Sequence, residues 1–293
     1  MIDVKKIVPW WSKILVKLII SRLPIKYNFW KRIGLIEHGA MEEPSYAYGV
    51  FHQHFARFQR HCEQNNLPNK RFVSLELGPG DSLFSAMINK ALGGSVSYLI
   101  DVGYFAVQDI QKYQAMANFL AQEGLHTLDI HHLQHIDEIL DYCCANYLTS
   151  GLESLKKIPD KSVNFIWSHG VLELVRRTEF FDTLRELRRI IRDDGVCSHL
   201  IPLVNSLGEL NSLRFPEFIW ESDFMAQSGF YANRIQYSQM LELFRKAGFD
   251  VEVVEVNHWK ELPTPKSKLS KEFRDIPNNE LRISSFSVIL KPI

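Results

Sequence analysis

The stretch from Arg71 to Asp101 constrains the fold of this chain more than any other. Apolar, extended residues over 71–77 run into Gly78-Pro79-Gly80, a helical pattern follows over 82–92, and a second strand over 96–101 ends on Asp101. Gly78 and Gly80 remove side chains where the backbone must turn tightly and a ligand must come close. The helix that opens behind them offers free N–H groups and the positive end of its dipole, which suits a carboxylate. Asp101, 21 residues beyond Gly80, is placed to accept hydrogen bonds from ribose hydroxyls. Strand, glycine turn, helix, strand and acid together point to a nucleotide-type ligand.

The rest of the chain continues the alternation. Helical patterns are expected at about 105–123 and 135–144, a short strand at 146–148 and an apolar strand at 163–168 after the Pro159-Asp160 turn. A helix over 179–192, ended by Asp194-Gly195, precedes a strand over 196–201. Helix 237–247, capped by Gly248, leads to strands over 249–256 and 282–290 with no clear helix between them. Seven strands with covering helices predict a three-layer α/β sandwich whose sheet is mostly parallel with an antiparallel edge. Two parts are expected: an N-terminal helical extension over 1–66, including an aromatic, His-rich helix at 46–64, and a main domain over 67–293. An aromatic insertion at about 205–234 covers the cleft.

Charge is unevenly spread. Residues 1–33 hold eight Lys/Arg and one acid, Asp3, for a net +7 in a chain whose total is zero. An acidic body disfavours nucleic acid as a partner. Within residues 5–26, Trp10, Trp11, Ile14 and Leu18 fall on one helical face and Lys6, Lys13 and Lys17 on the other, as in an interfacial helix on an anionic membrane or one docked on the body or a second subunit. Lys13, Lys17 and Arg22 interrupt every apolar run, so the expected place is the cytoplasm, peripheral to the membrane's inner face. Cys62, Cys143, Cys144 and Cys197 have no metal-ligand spacing, and His52 with His54, or His131 with His135, makes no convincing ligand set, so no metal is expected.

Beyond the glycine bend, Glu76 two residues before Gly78, the segment from Phe165 to Val175 and the segment from Ile190 to Val196 resemble the class I S-adenosylmethionine-dependent methyltransferases of the type 11 group, over about residues 71–203. The resemblance implies a Rossmann-like fold and S-adenosylmethionine as cofactor. It implies that Glu76, Gly78, Pro79 and Gly80 contact the methionine part, Asp101 the ribose with Val102 beside it, and Ser168 with His169 the cofactor or reaction face. The chain departs from the family at Leu174, where a histidine is common, and at Ser82 in place of a third glycine. No acid follows the third strand to bind adenine; the nearest is Glu153.

Methyl transfer from a sulfonium asks mainly for alignment, with a general base needed when the acceptor is a hydroxyl. His169, at the carboxyl end of the fourth strand, is the candidate catalytic base, or a residue that merely lines the loop. Glu173 reads as an N-terminal helix acid. No Asn/Asp-Pro-Pro-aromatic segment appears, which leaves hydroxyl or small-molecule acceptors, and the basic N-terminal helix suggests one that is lipid-linked or part of a glycan assembled at the membrane. Tyr231 and Arg234 in the aromatic insertion are candidate acceptor contacts, and packing or an ion pair explains them equally well. Two other readings stay open: an NAD-dependent oxidoreductase, against which Leu83 stands where a third small residue belongs, and a non-catalytic binding protein.

Overall fold

The computed structural model describes residues 40–126, 128–204 and 207–293; the amphipathic segment at 5–26 lies outside them. In chain order the elements are α1 (Pro44–Asn65), β1 (Val73–Leu77), α2 (Phe84–Ala91), β2 (Val96–Ile100), α3 (Ile110–Gln122), α4 (Ile136–Cys143), β3 (Ala145–Leu148) and α5 (Leu152–Leu155). There follow β4 (Val163–His169), α6 (Arg177–Ile190), β5 (Ile191–Pro202), the short helices α7 (Glu217–Trp220) and α8 (Asp223–Ala226), then α9 (Tyr237–Lys246) and β6 (Phe249–His258). Two more short helices, α10 (Lys271–Arg274) and α11 (Asn278–Leu281), lead into β7 (Ile283–Pro292).

The seven strands form one sheet in the order β3-β2-β1-β4-β5-β7-β6. β1 pairs in parallel with β2 and β4, β2 with β3, and β4 with β5, whereas β7 runs antiparallel to both β5 and β6. This is the Rossmann-like sandwich the sequence predicts, with the antiparallel pair at one edge. The carboxyl ends of β1 to β6 therefore lie along one rim, where open α/β sheets hold ligands.

One face of the sheet is closed by α1, α2, α3 and α4. Helix α1 starts at Pro44, whose fixed φ suits the first helical turn, and buries Val50, Phe51, His54, Phe55, Phe58 and Cys62 along one stripe. Phe58 stacks on Phe165 of β4 with ring centroids 5.1 Å apart, and Phe51 meets Trp167 edge-on at 5.4 Å. Each such ring contributes about 1.5–3 kcal/mol by leaving water. Helix α1 is thus sewn onto the sheet face. The other face is covered by α6 and α9, through Phe180, Leu184, Leu187, Met240 and Phe244.

Several boundaries differ from the sequence reading for local reasons. Arg71 has φ +57°, outside the strand region, so β1 begins at Val73. Helix α3 begins at Ile110 because the Asp109 side chain accepts the Gln111 N–H at 3.0 Å and caps it there. Helix α6 ends at Ile190, before Asp194-Gly195, and the chain enters β5 at Ile191. The pairing with β4 jumps from Val163–Ile191 to Phe165–Val196, and the extra residues are held by Arg192 clasping Asp194. Gly195 is needed at that bulge, since a Cβ there would stand 2.9 Å from the Asn164 carbonyl oxygen.

Candidate active site on the carboxyl rim

The glycine bend forms as the sequence requires. Gly78 and Gly80 have φ +69° and +65°, and the Gly78 N–H donates to the Ile100 carbonyl at 2.8 Å, which ties the bend to the end of β2. Asp101 faces the bend: Oδ2 accepts the Gly80 N–H at 3.1 Å and Oδ1 the Val102 N–H at 2.7 Å. The space left by the missing side chain of Gly78 is filled from the protein side, because a Cβ there would lie 2.4 Å from Cγ2 of Val171. Gly78 makes the tight turn the sequence requires and also serves close packing between β1 and the loop after β4.

Beneath the bend, Glu76 is buried at 3% exposure. Ser85 of α2 donates to its Oε2. Burial pushes the carboxyl up to about 8, against the pull of the Ser85 hydrogen bond, and Asp101 raises it further; among the described residues no cation acts on it. Pro79 is half-way through the bend, and Leu83, where a dinucleotide site keeps a small residue, is buried in the core at 1% exposure. The Ser82 hydroxyl donates to the Met41 carbonyl. Val102 presents an apolar side chain beside Asp101 at 78% exposure. After β3, the Gly151 N–H donates to the Asp101 carbonyl at 2.8 Å, bringing residues 149–151 alongside. Glu153 is turned to Lys156 at 2.6 Å.

At the end of β4 the residues separate by face. Ser168 points into the core on the α6 side, fully buried, and its hydroxyl pairs with Nδ1 of His199 at 2.8 Å. Only its backbone is left for the rim. His169 points to the opposite face, where its Nδ1 lies 3.3 Å from Nε2 of His54 on α1. His54 in turn approaches Ser198 Oγ through Nδ1 at 2.8 Å, and Arg57 donates to the same oxygen at 3.0 Å. Burial first, then the neighbouring His169, Arg57 and His199, holds His54 well below the usual histidine range. Burial and Arg57 also lower His169, and burial takes His199 down to about 3. Among the described residues no three His, Cys, Asp or Glu side chains converge as a metal-ligand set.

Glu173, expected as a helix-end acid, is instead buried at 7% exposure in the loop after β4. One of its oxygens, Oε2, has no partner among the described residues, and burial pushes its carboxyl up to about 8. Asn233 fixes this loop from above: its N–H donates to the Glu173 carbonyl at 2.8 Å, and its side-chain amide to the Leu172 and Val175 carbonyls at 2.8 and 3.1 Å. Neither His54 nor the Glu173 burial was visible in the sequence.

The insertion after β5 carries its own small core of Leu207, Trp220, Met225, Phe230 and Tyr231. Tyr231 donates to Glu221 at 2.7 Å and accepts the Arg177 N–H at 3.0 Å. The Arg234 guanidinium is wholly buried between the rings of Trp220 and Phe273, at 5.3 and 5.0 Å, and donates to the Phe215 carbonyl at 2.7 Å. Both residues hold the insertion together. The insertion and the β6–β7 connection, which both spring from the carboxyl rim, border an open cavity of about 400 Å³ lined in part by Glu209, Asn211, Arg214, Thr264 and Lys268.

No family model and no curated protein matches the chain. Solved structures do. A chain of the Haloferax volcanii complex between the Trm112 methyltransferase activator and its candidate methyltransferase is 12% identical over 86% of this chain and 95% of that one, with a TM-score of 0.40. An arsenic(III) S-adenosylmethionine methyltransferase from Chlamydomonas reinhardtii is 14% identical, covering 75% of this chain and 63% of that one, at a TM-score of 0.42. A SAM-dependent methyltransferase from Archaeoglobus fulgidus is 14% identical over 82% and 94%, at 0.41.

Proposed function

We propose that the chain is an S-adenosylmethionine-dependent methyltransferase acting on a hydroxyl of a small molecule or of a lipid-linked glycan. The observation that carries this reading is the pair of carboxyl groups on either side of the glycine bend. Asp101 stands at the rim with its oxygens fixed by the Gly80 and Val102 N–H groups, in place for a ribose. Glu76 lies one strand over, buried and with no cation beside it among the described residues, so that an α-ammonium group is a partner that would complete it. A nicotinamide dinucleotide offers no such ammonium. The usual dinucleotide sheet also runs β3-β2-β1-β4-β5-β6 in parallel, whereas here antiparallel β7 separates β5 from β6.

When bound, the cofactor would supply a methyl group on a sulfonium. The chain's own residues would do the rest. Glu76 and the bend hold the amino-acid end, and Asp101 with Val102 holds the nucleoside. His169 faces the acceptor, while Tyr231 and Arg234 shape the cover above it. The cavity bordered by Glu209, Arg214 and Lys268 would give the acceptor room. The basic amphipathic segment at 5–26 would bring the protein to an anionic membrane surface where such glycans are built. Among the described residues, no helix is long and apolar enough to cross a membrane.

Incubating the protein with methyl-labelled S-adenosylmethionine and fractionated extracts, followed by mass spectrometry, tests the activity. Label should enter a hydroxyl-bearing product with the wild type and not with Asp101→Ala. Removing residues 1–25 should abolish partition onto anionic vesicles; unchanged partition would remove the membrane part of the proposal.

A further inference from the structure

Resting on the reading that His169 faces the acceptor, we propose that His54 is a positioning residue that locks His169 as its Nε2–H tautomer, so that His169 gives a hydrogen bond at the reaction face and takes no proton there. The argument is a count of hydrogens along one buried chain. Arg57 has only donors, so its bond to Ser198 Oγ uses a lone pair of that oxygen. Ser198 is fully buried, and the one group placed to accept its hydroxyl hydrogen is Nδ1 of His54, 2.8 Å away. The opposite direction would leave a buried hydroxyl hydrogen with no acceptor, and a doubly protonated His54 would bury a cation beside Arg57.

With Nδ1 accepting, a neutral His54 carries its hydrogen on Nε2. That hydrogen points to Nδ1 of His169 at 3.3 Å, which must then accept. A neutral His169 is left with its hydrogen on Nε2, the ring nitrogen for which the described residues supply no bond. Among the described residues the charged and titratable groups beside the ring work the same way. Arg57 and His54 face it from α1, so a second proton on His169 would add a charge beside the Arg57 cation.

Nitrogen NMR of the full chain with ¹⁵N-labelled histidine, at neutral pH with and without S-adenosylhomocysteine, reads the tautomers directly. His54 and His169 should both show a bare Nδ1 and a protonated Nε2. His54→Phe, which deletes the donor, should move the His169 titration up toward the ordinary histidine range and mix its tautomers, and His54→Gln, whose amide can still donate, should restore both. A wild-type His169 carrying its hydrogen on Nδ1 overturns the proposal, as does a His54→Phe protein with unchanged His169 signals. If His54→Phe fails to fold, the wild-type spectrum decides alone. Calorimetry with S-adenosylhomocysteine on the same sample reports separately on the cofactor reading, since the tautomers do not depend on it.

Discussion

Replacing Glu76 by Gln should make the free protein more stable and the cofactor complex weaker, and the first effect should grow with pH. The Glu76 carboxyl sits at about 8 in the fold against an ordinary value of 4.5. An unfolded chain ionises this group from about pH 4.5 upward, while the native state holds it neutral until about 8. The native state therefore binds the extra proton, and stability is lost as pH rises through that window. At about 1.4 kcal/mol per pH unit, the loss from Glu76 alone is on the order of 3 kcal/mol by pH 7. Glutamine keeps the Ser85 hydrogen bond and has nothing to ionise. Urea unfolding at pH 5, 6, 7 and 8 should show Glu76→Gln gaining about 1 kcal/mol over wild type per pH unit. The same variant should bind S-adenosylhomocysteine more weakly, because the ammonium loses its carboxylate. A stability difference that stays flat from pH 5 to 8 would refute the reasoning, since it would mean that Glu76 is ionised in the fold at a cost met elsewhere.

Gly78→Ala should cost at least 1–2 kcal/mol from the left-handed backbone alone, with more from the contact on Val171, and abolish cofactor binding; denaturant unfolding and calorimetry check the two parts. Asp101→Ala should weaken S-adenosylhomocysteine by about 1.5–3 kcal/mol and loosen the bend, because the Gly80 N–H loses its acceptor; calorimetry measures it. Arg234→Ala should release the insertion, removing a buried ion between two rings and the bond to Phe215 at a cost of about 2–4 kcal/mol, seen as faster proteolysis at residues 207–234 with the sheet intact.

The parts of the fold set by local physics were legible in the sequence. Alternating apolar strands, the Gly78–Gly80 bend and the strand-end Asp101 all act through neighbours within about 30 residues, and each forms where expected. What was hidden depends on long-range contact. His54 meets Ser198 across 144 positions and His169 across 115, so nothing on α1 marks it as part of the rim. Ser168 and His169 look alike in sequence but fall on opposite faces of β4, because strand side chains alternate. Tyr231 and Arg234 carry the chemistry of a binding site, yet the aromatic core of the insertion absorbs both. Glu173 reads as an N-terminal helix acid, yet it is buried in the loop after β4, which Asn233 ties down from far along the chain.

Titration calorimetry of the full-length protein against S-adenosylhomocysteine and, in parallel, NAD tests the cofactor assignment most directly. One molecule of the sulfur nucleoside should bind per chain, more weakly in Asp101→Ala, and NAD should give no heat. Saturable binding of NAD with silence toward the nucleoside would contradict it.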